Sequence, residues 1–386
     1  MLLIASESIR GARAISDVAR EMSLAVSYFS RPEKLGELLT GRLRRIVLLD
    51  DADVTDSVIE RLVAAGDAGP LGVLVAADEP TLASSDKANL VAALEGLPNV
   101  QWLGAGFGFD SLAEAARECR RAMLTVSQDD LTQAFDNGEF VVQYQPKVER
   151  DGGVDWVTRE AEALIRWQHP QHGLVGPLEF LPEIEAFGMM PALTEFVLQK
   201  AAAQLQEWER QGLRLKGCIN LAPSLLNDAD LGARYAAIVR EYELEPRRFT
   251  FEIVEQELDN PEAPHLKAIR NLRAEGFRLS LDDFRVAAAS LAAFEQLPFD
   301  EIKIHASALR QARENAVAMH VLAAVAGLAH NLGMSVCAEG VEDQDAFEFL
   351  EMIECDKMQG FLISEAVLPH IIQRVYSARD SSAEVA

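Results

Sequence analysis

The stretch Arg278-Leu-Ser-Leu-Asp-Asp-Phe284 decides the fold class of the larger part of the chain. It has the length of a buried strand, and two adjacent carboxylates lie at its carboxyl end, where barrel enzymes carry their chemistry. Further strand-like runs flank it on both sides. The eight predicted strands are Phe140–Val148, Glu160–Trp167, Lys216–Leu221, Phe249–Val254, Arg278–Phe284, Glu301–Ile304, Ser335–Gly340 and Met358–Ile363.

Amphipathic stretches separate these runs and predict helices. Examples are Leu193–Gln211, Ala268–Glu275 and Val317–Leu332. The last two are followed by Gly276 and Gly333, a residue type that often ends a helix. Eight strands that alternate with helices over about 240 residues fit a TIM (β/α)8 barrel better than an open sheet.

The first 125 residues predict a smaller α/β domain. Short apolar runs alternate there with helical patterns such as Ala12–Met22, Asp56–Ala65 and Ser111–Met123. Strands in this alternation indicate a parallel sheet covered by helices on both faces. The five predicted strands are Leu2–Ala5, Ala25–Phe29, Ile46–Leu49, Gly72–Ala76 and Val100–Leu103.

The order of these elements resembles that of a response-regulator receiver domain, which has a flavodoxin-like fold. Phosphoryl chemistry in that family uses acidic residues after the first strand, an aspartate that ends the third and a lysine that ends the fifth. Here the three strands end in Ala5-Ser6-Glu7, Asp50-Asp51 and Gly104-Ala105-Gly106, so the lysine is missing. We therefore interpret the domain as a degenerate receiver that docks a protein partner. Asp50 as a phosphoacceptor is the less favoured interpretation.

Domain boundaries follow from these patterns. Residues 1–125 are predicted to form the receiver-like domain, and a polar helical segment over 126–138 links it to the barrel. The barrel domain is expected over 139–378, and 379–386 are expected to be a disordered tail.

The charge of the chain restricts its partners. Its 386 residues include 36 Lys and Arg and 61 Asp and Glu, so the formal net charge is 36 − 61 = −25. A chain this acidic repels phosphate backbones and anionic lipid surfaces unless a basic patch or bound metal ions intervene. We find no long basic run, and we expect neither a nucleic acid nor a membrane as partner.

Cysteines and apolar runs indicate the compartment. The four cysteines form no CxxC pair, which argues against a zinc site and against a disulfide scaffold. The amino terminus has no basic region and reaches Glu7 too soon for a signal peptide. The longest apolar stretch, Ala316 to Ala329, is shorter than the ~18–20 residues of a membrane span. The sequence therefore predicts a cytoplasmic protein with reduced thiols.

Polar side chains recur at the strand ends of the predicted barrel. The acidic residues of this set have a single lysine among them, so ion pairs within the set cannot neutralise them all. An ionised carboxylate inside a barrel is costly in free energy unless it is paired or metal-bound. The set comprises Glu162 in the second strand, Asn220 closing the third, Glu252 in the fourth, Asp282 and Asp283 closing the fifth, Lys303 in the sixth, Glu339 closing the seventh and Gln359 opening the eighth.

Divalent cations would resolve this excess of charge. Mg²⁺ and Mn²⁺ prefer carboxylate, amide and water oxygens. The adjacent pair Asp282 and Asp283 would serve two metals that clamp a phosphodiester. The alternative is that each acid is a surface residue at a strand end, but the regular placement of the full set disfavours it.

The region from Glu139 to near Ala378 resembles the EAL-domain cyclic-di-GMP phosphodiesterases. Seven motifs follow the order and spacing of that family. They are Glu162-Ala163-Leu164 with Arg166-Trp167 and His169-Pro170, Tyr144-Gln145-Pro146, Asn220–Pro223, Phe249–Glu255, Asp282-Asp283-Phe284 with Ile302-Lys303-Ile304, Ala338–Glu342, and Gln359-Gly360-Phe361.

This resemblance implies a barrel with one antiparallel strand that cuts cyclic-di-GMP to linear pGpG with two Mg²⁺ or Mn²⁺ ions. It implies that Lys303 orients the attacking water, that Glu339 helps to activate it and that Gln359 completes its hydrogen bonds. It also implies that Gln145, Leu164 and Arg166 meet the ligand, although a structural ion pair is an equal alternative for Arg166. The implied metal ligands are Glu162, Asn220, Glu252, Asp282, Asp283 and Glu339, with Glu162 also counted as catalytic.

The sequence departs from the family after Asp283. Where the family has Gly-Thr-Gly-Tyr-Ser-Ser, this chain has Arg285-Val-Ala-Ala-Ala-Ser290. Residues that carry a Cβ cannot take the left-handed turn that glycines allow, and three alanines favour an early helix. Glu255, which anchors this loop in the family, is retained. His305 stands where the family usually has Asp, and we interpret it as an outward-facing substitution rather than one that disturbs Lys303.

Two functions remain open. Retention of the polar set favours a cyclic-di-GMP phosphodiesterase, and the degenerate loop favours an inactive effector that binds cyclic-di-GMP or a protein partner. The resemblance also implies a homodimer through the EAL domain.

Overall fold

The computed structural model describes most of the chain. The described residues are 2–6, 12–22, 24–40, 44–68, 70–77, 88–97, 99–104, 107–151, 155–254, 263–284 and 299–374. They divide into two compact units, the first formed by residues 1–141 with 166–187 and the second by 142–165 with 188–386.

A five-stranded parallel sheet forms the centre of the first unit. Its strand order is β2-β1-β3-β4-β5, the order of flavodoxin-like folds, and the expectation of a receiver-like sheet is confirmed. Its strands are β1 Leu2–Ser6, β2 Ala25–Phe29, β3 Arg45–Asp50, β4 Leu71–Ala76 and β5 Val100–Trp102. Its helices are α1 Ala12–Glu21, α2 Pro32–Leu38, α3 Asp56–Ala68, α4 Ala88–Glu95, α5 Phe109–Ala122 and α6 Gln128–Asp136.

Alternation along the central strands builds the core of this sheet. Val47 and Leu49 belong to one buried apolar cluster, whereas Ile46 and Leu48 belong to another. Successive side chains of a strand point to opposite faces, so a strand that is apolar throughout supplies two cores. This is why helices cover both faces of the sheet.

Asp50 ends β3 and caps the turn that follows it. Its Oδ1 accepts hydrogen bonds from the backbone N–H groups of Ala52, at 3.0 Å, and Asp53, at 3.2 Å. The N–H of Asp50 donates in turn to Oδ2 of Asp53 at 3.1 Å. The carboxylate therefore has a structural role as a cap. Its role as a phosphoacceptor stays a prediction.

An eight-stranded barrel forms the larger part of the chain. The strands are β6 Phe140–Asp151, β7 Asp155–His169, β9 Lys216–Asn220, β10 Phe249–Val254, β11 Arg278–Phe284, β12 Glu301–Ile304, β13 Ser335–Ala338 and β14 Lys357–Met358, with β8 Gly173–Val175 paired to β7 outside the barrel. The helices are α7 Pro177–Ala186, α8 Met190–Arg210, α9 Leu231–Glu241, α10 Ala263–Glu275, α11 Ala306–Glu314, α12 Ala316–Asn331 and α13 Gln344–Met352.

The barrel closes through β6, which pairs with both β14 and β7. β6 runs antiparallel to β14, whereas the neighbours from β7 through β9 to β14 pair in parallel. The predicted barrel with one antiparallel strand is therefore confirmed.

The last two strands are shorter than the sequence suggested. The seventh ends at Ala338 rather than Gly340, which has a left-handed φ of 66°. The eighth comprises only Lys357–Met358 instead of Met358–Ile363. The N–H groups of Ile363 and Ser364 bond back to the carbonyl of Gly360, so this apolar segment is a turn and not a strand.

All four cysteines, Cys119, Cys218, Cys337 and Cys355, are buried free thiols. Burial raises the pKa of Cys119 and of Cys355 to about 12.

None of the helices in the described ranges combines the length and the apolar character that crossing a membrane requires.

Gly340 and Gly333 provide a matched test of the packing behind β13. Both have left-handed backbone angles, but a Cβ at Gly340 would overlap the Cβ of Ala306, whereas a Cβ at Gly333 would have no neighbour within 4 Å. Gly333→Ala should cost about 1 kcal/mol of unfolding free energy. Gly340→Ala should cost on the order of 1–3 kcal/mol more, because the added methyl group overpacks the site. Urea unfolding measures both, and equal costs would contradict the close approach.

Candidate active site

The Lys303 ammonium lies at the centre of four carboxylates from separate strands of the barrel. Its Nζ is 2.7 Å from Oε2 of Glu252, 3.2 Å from Oδ1 of Asp282 and 2.6 Å from Oε1 of Glu339. Oε2 of Glu162 is 3.8 Å away. The residues that the sequence singled out at the strand ends therefore converge.

Amide side chains orient Glu162 at the edge of this cluster. Nδ2 of Asn220 donates to its Oε1 at 2.7 Å, and Nε2 of Gln359 donates to its Oε2 at 2.8 Å. Nε2 of Gln359 also lies 2.8 Å from Oε1 of Gln145, whose own Nε2 donates to the carbonyl of Ser364 at 3.0 Å. Both oxygens of Glu162 are thus held by hydrogen bonds.

Burial varies across the site. Glu252 and Lys303 are only 1% exposed. The side chain of Asp282 is 14% exposed, that of Glu339 is 24% exposed, and Asn220 is an exposed residue. The site is therefore dry at its base and open where Asn220 and Glu339 lie, as a cleft that admits a ligand would be.

A second layer of charged side chains lies two residues along the strands from the cluster around Lys303. Nζ of Lys357 contacts Oε1 of Glu160 at 2.8 Å and Oε2 of Glu301 at 2.7 Å. The Ser280 hydroxyl donates to Glu301 at 2.9 Å. Side chains two residues apart on a strand share a face, so β7 and β12 each supply one residue to each layer. Lys357 on β14 and Gln359, just after β14, are related in the same way. These pairs are Glu160 with Glu162, Glu301 with Lys303, and Lys357 with Gln359.

The expectation of a single lysine among the acids was wrong. Lys147 on β6 is fully buried and forms an ion pair with Oε1 of Glu252, opposite Lys303 on Oε2. Spacing could have revealed Lys147, because it lies two residues after Gln145 and hence on the same face of β6.

Even with both lysines, the site keeps an excess of negative charge. Four carboxylates, those of Glu162, Glu252, Asp282 and Glu339, face the two ammonium groups of Lys147 and Lys303, so the sum is 2 − 4 = −2 when all four carboxylates are ionised. A buried charge of this size requires compensation.

The pKa values reflect this crowding. Burial by itself would lower the pKa of Lys303, but the carboxylates of Asp282 and Glu162 outweigh it and raise that pKa well above its ordinary value. Burial by itself would raise the pKa of Glu162, but Lys303 and Lys147 outweigh it and lower the pKa. Burial raises the pKa of Glu339 to about 7, because Lys303 offsets only part of the desolvation.

The donor set fits hard divalent cations. Carboxylate and amide oxygens are the ligands that Mg²⁺ and Mn²⁺ prefer, and one such ion would balance the excess of two negative charges. Within the described ranges, no three His, Cys, Asp or Glu side chains already stand as a metal cage. The ammonium of Lys303 lies among the carboxylates, where it contacts each of them.

Several other residues that the sequence predicts for the site lie outside the cluster around Lys303. Leu164 and Arg166 are half-buried and lie on the same face of β7 as Glu162. His305 is half-buried and caps α11, because its Nδ1 accepts the N–H of Ser307 at 3.2 Å. It is therefore a helix cap, and its interpretation as an outward-facing substitution stays a prediction. The side chain of Asp283, the residue Glu255 and the loop 285–298 lie outside the described residues.

A family model, curated relatives and solved structures all match this chain to one protein family. Residues 128–366 match the EAL domain family model, which covers more than half of the chain. The cyclic di-GMP phosphodiesterase PA2567 of Pseudomonas aeruginosa is 30% identical over 305 residues, which cover 78% of this chain and 50% of that protein. The cyclic di-GMP phosphodiesterase RocR of the same organism is 32% identical over 235 residues, which cover 61% of this chain and 59% of that protein.

A solved structure of the phosphodiesterase PaMucR in complex with c-di-GMP has the same barrel. It is 30% identical, with a TM-score of 0.59, and the alignment covers 63% of this chain and 98% of that one. The chain spans about half the length of the full-length relatives named above.

The lower layer of charge can be tested through stability. Lys357→Met leaves Glu301 buried without the lysine that it shares with Glu160, and Glu160 keeps only Lys216 at 3.2 Å. The loss should cost about 3–5 kcal/mol of unfolding free energy. The double variant Lys357→Met with Glu301→Gln should regain part of this loss, because one uncompensated charge is removed. Lys267→Met, at an exposed lysine, serves as the control and should change little. Urea unfolding measures all three, and a Lys357→Met variant as stable as the control would contradict the ion pairs.

Proposed function

Because the chain belongs to the EAL domain family, we propose that it is a cyclic-di-GMP signalling protein that hydrolyses cyclic-di-GMP to linear pGpG. The observation that carries this proposal is the convergence of Glu162, Glu252, Asp282 and Glu339 on Lys303 with two negative charges in excess. The names of two relatives and the bound ligand of the PaMucR structure support it.

The substrate is an anion, and this chain is strongly acidic. Two divalent cations, when bound, would neutralise the phosphodiester and lower the pKa of water near it. Mg²⁺ and Mn²⁺ suit the oxygens at hand. The residues that we propose to hold them are Glu162, Asn220, Glu252, Asp282, Asp283 and Glu339.

Hydrolysis needs a base, a cation near the phosphate and an oriented water. Glu339, which directly follows β13 at the open side of the site, accepts a proton from the attacking water. The water oxygen forms a bond to phosphorus, the bond from phosphorus to the 3′ oxygen breaks, and the 3′ oxygen leaves as a hydroxyl with the proton that Glu339 returns. Water is thus added across one phosphodiester. Nζ of Lys303 and the amide of Gln359 hold the water in line.

Ligand contacts are proposed on β6 and β7. Leu164 and Arg166 are half-buried and follow the inward-facing Glu162 on β7, and the half-buried Gln145 precedes the inward-facing Lys147 on β6. A guanidinium such as that of Arg166 suits a phosphate oxygen or a guanine edge. We further propose that 139–378 form the catalytic domain, that it dimerises, and that 1–125 dock a protein partner.

The second candidate is a non-catalytic effector that binds cyclic-di-GMP. The sequence Arg285-Val-Ala-Ala-Ala favours it, because the glycines that let this loop turn next to Asp283 are replaced. A site loosened by about 1 Å can lose two orders of magnitude in rate.

An assay with purified full-length protein distinguishes the two candidates. Cyclic-di-GMP is incubated with Mn²⁺ or Mg²⁺, and the products are separated by chromatography. We expect pGpG from the natural chain and a loss of about 100-fold or more in rate from Glu162→Gln and from Glu339→Gln. Glu354→Gln, at an exposed glutamate, is the matched control and should keep full activity.

The remaining outcomes are equally informative. Binding of cyclic-di-GMP without turnover supports the effector and contradicts hydrolysis. Absence of both binding and turnover contradicts both candidates.

A further inference from the structure

The carboxylate of Glu179, in the first turn of α7, is buried between two arginines of the first unit. Nη1 of Arg44 donates to its Oε2 at 2.9 Å, and Nη2 of Arg120 donates to its Oε1. The N–H of Gly176 donates to Oε1 at 3.0 Å. The three side chains are only 3%, 9% and 5% exposed, for Arg44, Arg120 and Glu179 in that order.

The triad carries an excess of positive charge. Two guanidinium groups share one carboxylate, and within the described residues Nε and Nη2 of Arg44 and Nε of Arg120 have no hydrogen-bond partner. Without the charge on Glu179, two like charges would remain buried next to each other. Removal of one partner from such a group is far more disruptive than its presence is stabilising. Loss of any one of the three side chains therefore leaves buried charge without compensation.

Further contacts fasten the same segment, residues 166–187, within the first unit. The indole of Trp167 donates to Oε2 of Glu139 at 2.9 Å, and the ring of Phe140 packs on those of Trp167 and Phe180. The strand β8 pairs with the end of β7, with Trp167 opposite Val175. Glu179 follows β8 after a short turn, so the triad holds the segment that is paired to β7.

The strand β7 continues from this segment into the barrel. It runs without interruption over Asp155–His169, and its residues 155–165 belong to the second unit. Arg166 and Leu164 follow Glu162 on one face of this strand. The fastened end and the proposed ligand residues therefore lie on one continuous strand.

We propose that Arg44, Glu179 and Arg120 form a latch by which the receiver-like part of the chain sets the end of β7 and hence the affinity for cyclic-di-GMP. This inference rests on the proposed function of the barrel. A latched strand is ordered before the ligand arrives, so binding does not have to order it. Without the latch, part of the binding free energy is used to order the strand, and the affinity for cyclic-di-GMP is lower.

The test compares Glu179→Gln with Glu183→Gln in the full-length protein. Glu183 lies one turn further on α7 and makes only a partly exposed pair with Arg121 at 3.7 Å, so it is a matched control. Hydrogen exchange of the 166–175 amides reports on the latch, and calorimetry reports the Kd for cyclic-di-GMP. Glu179→Gln should lose protection at these amides and bind about tenfold more weakly, a coupling typical of linked sites. Glu183→Gln should match the natural chain in both.

A second variant keeps the test decisive if Glu179→Gln does not fold. Arg44→Gln removes one arm and leaves a neutral pair of Glu179 and Arg120, so it should fold and show a smaller change in the same direction. Loss of protection with an unchanged Kd, or unchanged protection in both variants, would overturn the latch. If the natural chain binds no cyclic-di-GMP, the proposed function fails, and amide protection alone then decides whether the latch exists.

Discussion

The buried ammonium of Lys303 is the constraint on which the barrel interior depends. It contacts carboxylates from four different places in the barrel wall, and with Lys147 it still leaves two negative charges uncompensated. Buried charges of this kind are stabilising only when geometry and counter-charge agree. The strands that bring Glu252 and Lys303 together must therefore keep their register, and the exposed side of the cluster provides the place where further positive charge can enter.

The interior is arranged in two layers because strands have a period of two. Lys357 and Lys216 together balance Glu160 and Glu301 in one layer, whereas Lys303 and Lys147 only partly balance the acids of the other. The two layers thus differ in charge. The layer around Lys357 is close to neutral and stabilises the barrel, and the layer around Lys303 retains charge that a stable core would not need. Sites of function are where such departures from the rules of stability are expected.

Sequence reasoning located the strands and the converging residues well, since alternation and strand ends are local properties. Sequence reasoning missed Lys147, because β6 runs antiparallel to β14 and its inward-facing side chains were not matched with Glu252 on β10. It extended the eighth strand to Ile363, because apolar residues in a turn resemble a strand when their backbone bonds to Gly360 are unknown. It left Glu179 unmentioned, because a buried ion triad joins residues far apart in the chain, and no local pattern reveals their partners.

Cation binding tests the central claim most directly. Calorimetric titration of the folded chain with Mn²⁺ and with Mg²⁺ measures whether the excess charge at Lys303 recruits a divalent ion. We predict that the natural chain binds both ions and that Asp282→Asn, which reduces the excess from two negative charges to one, binds them markedly more weakly. A folded protein that binds neither ion, or binds them equally well after this substitution, would contradict it.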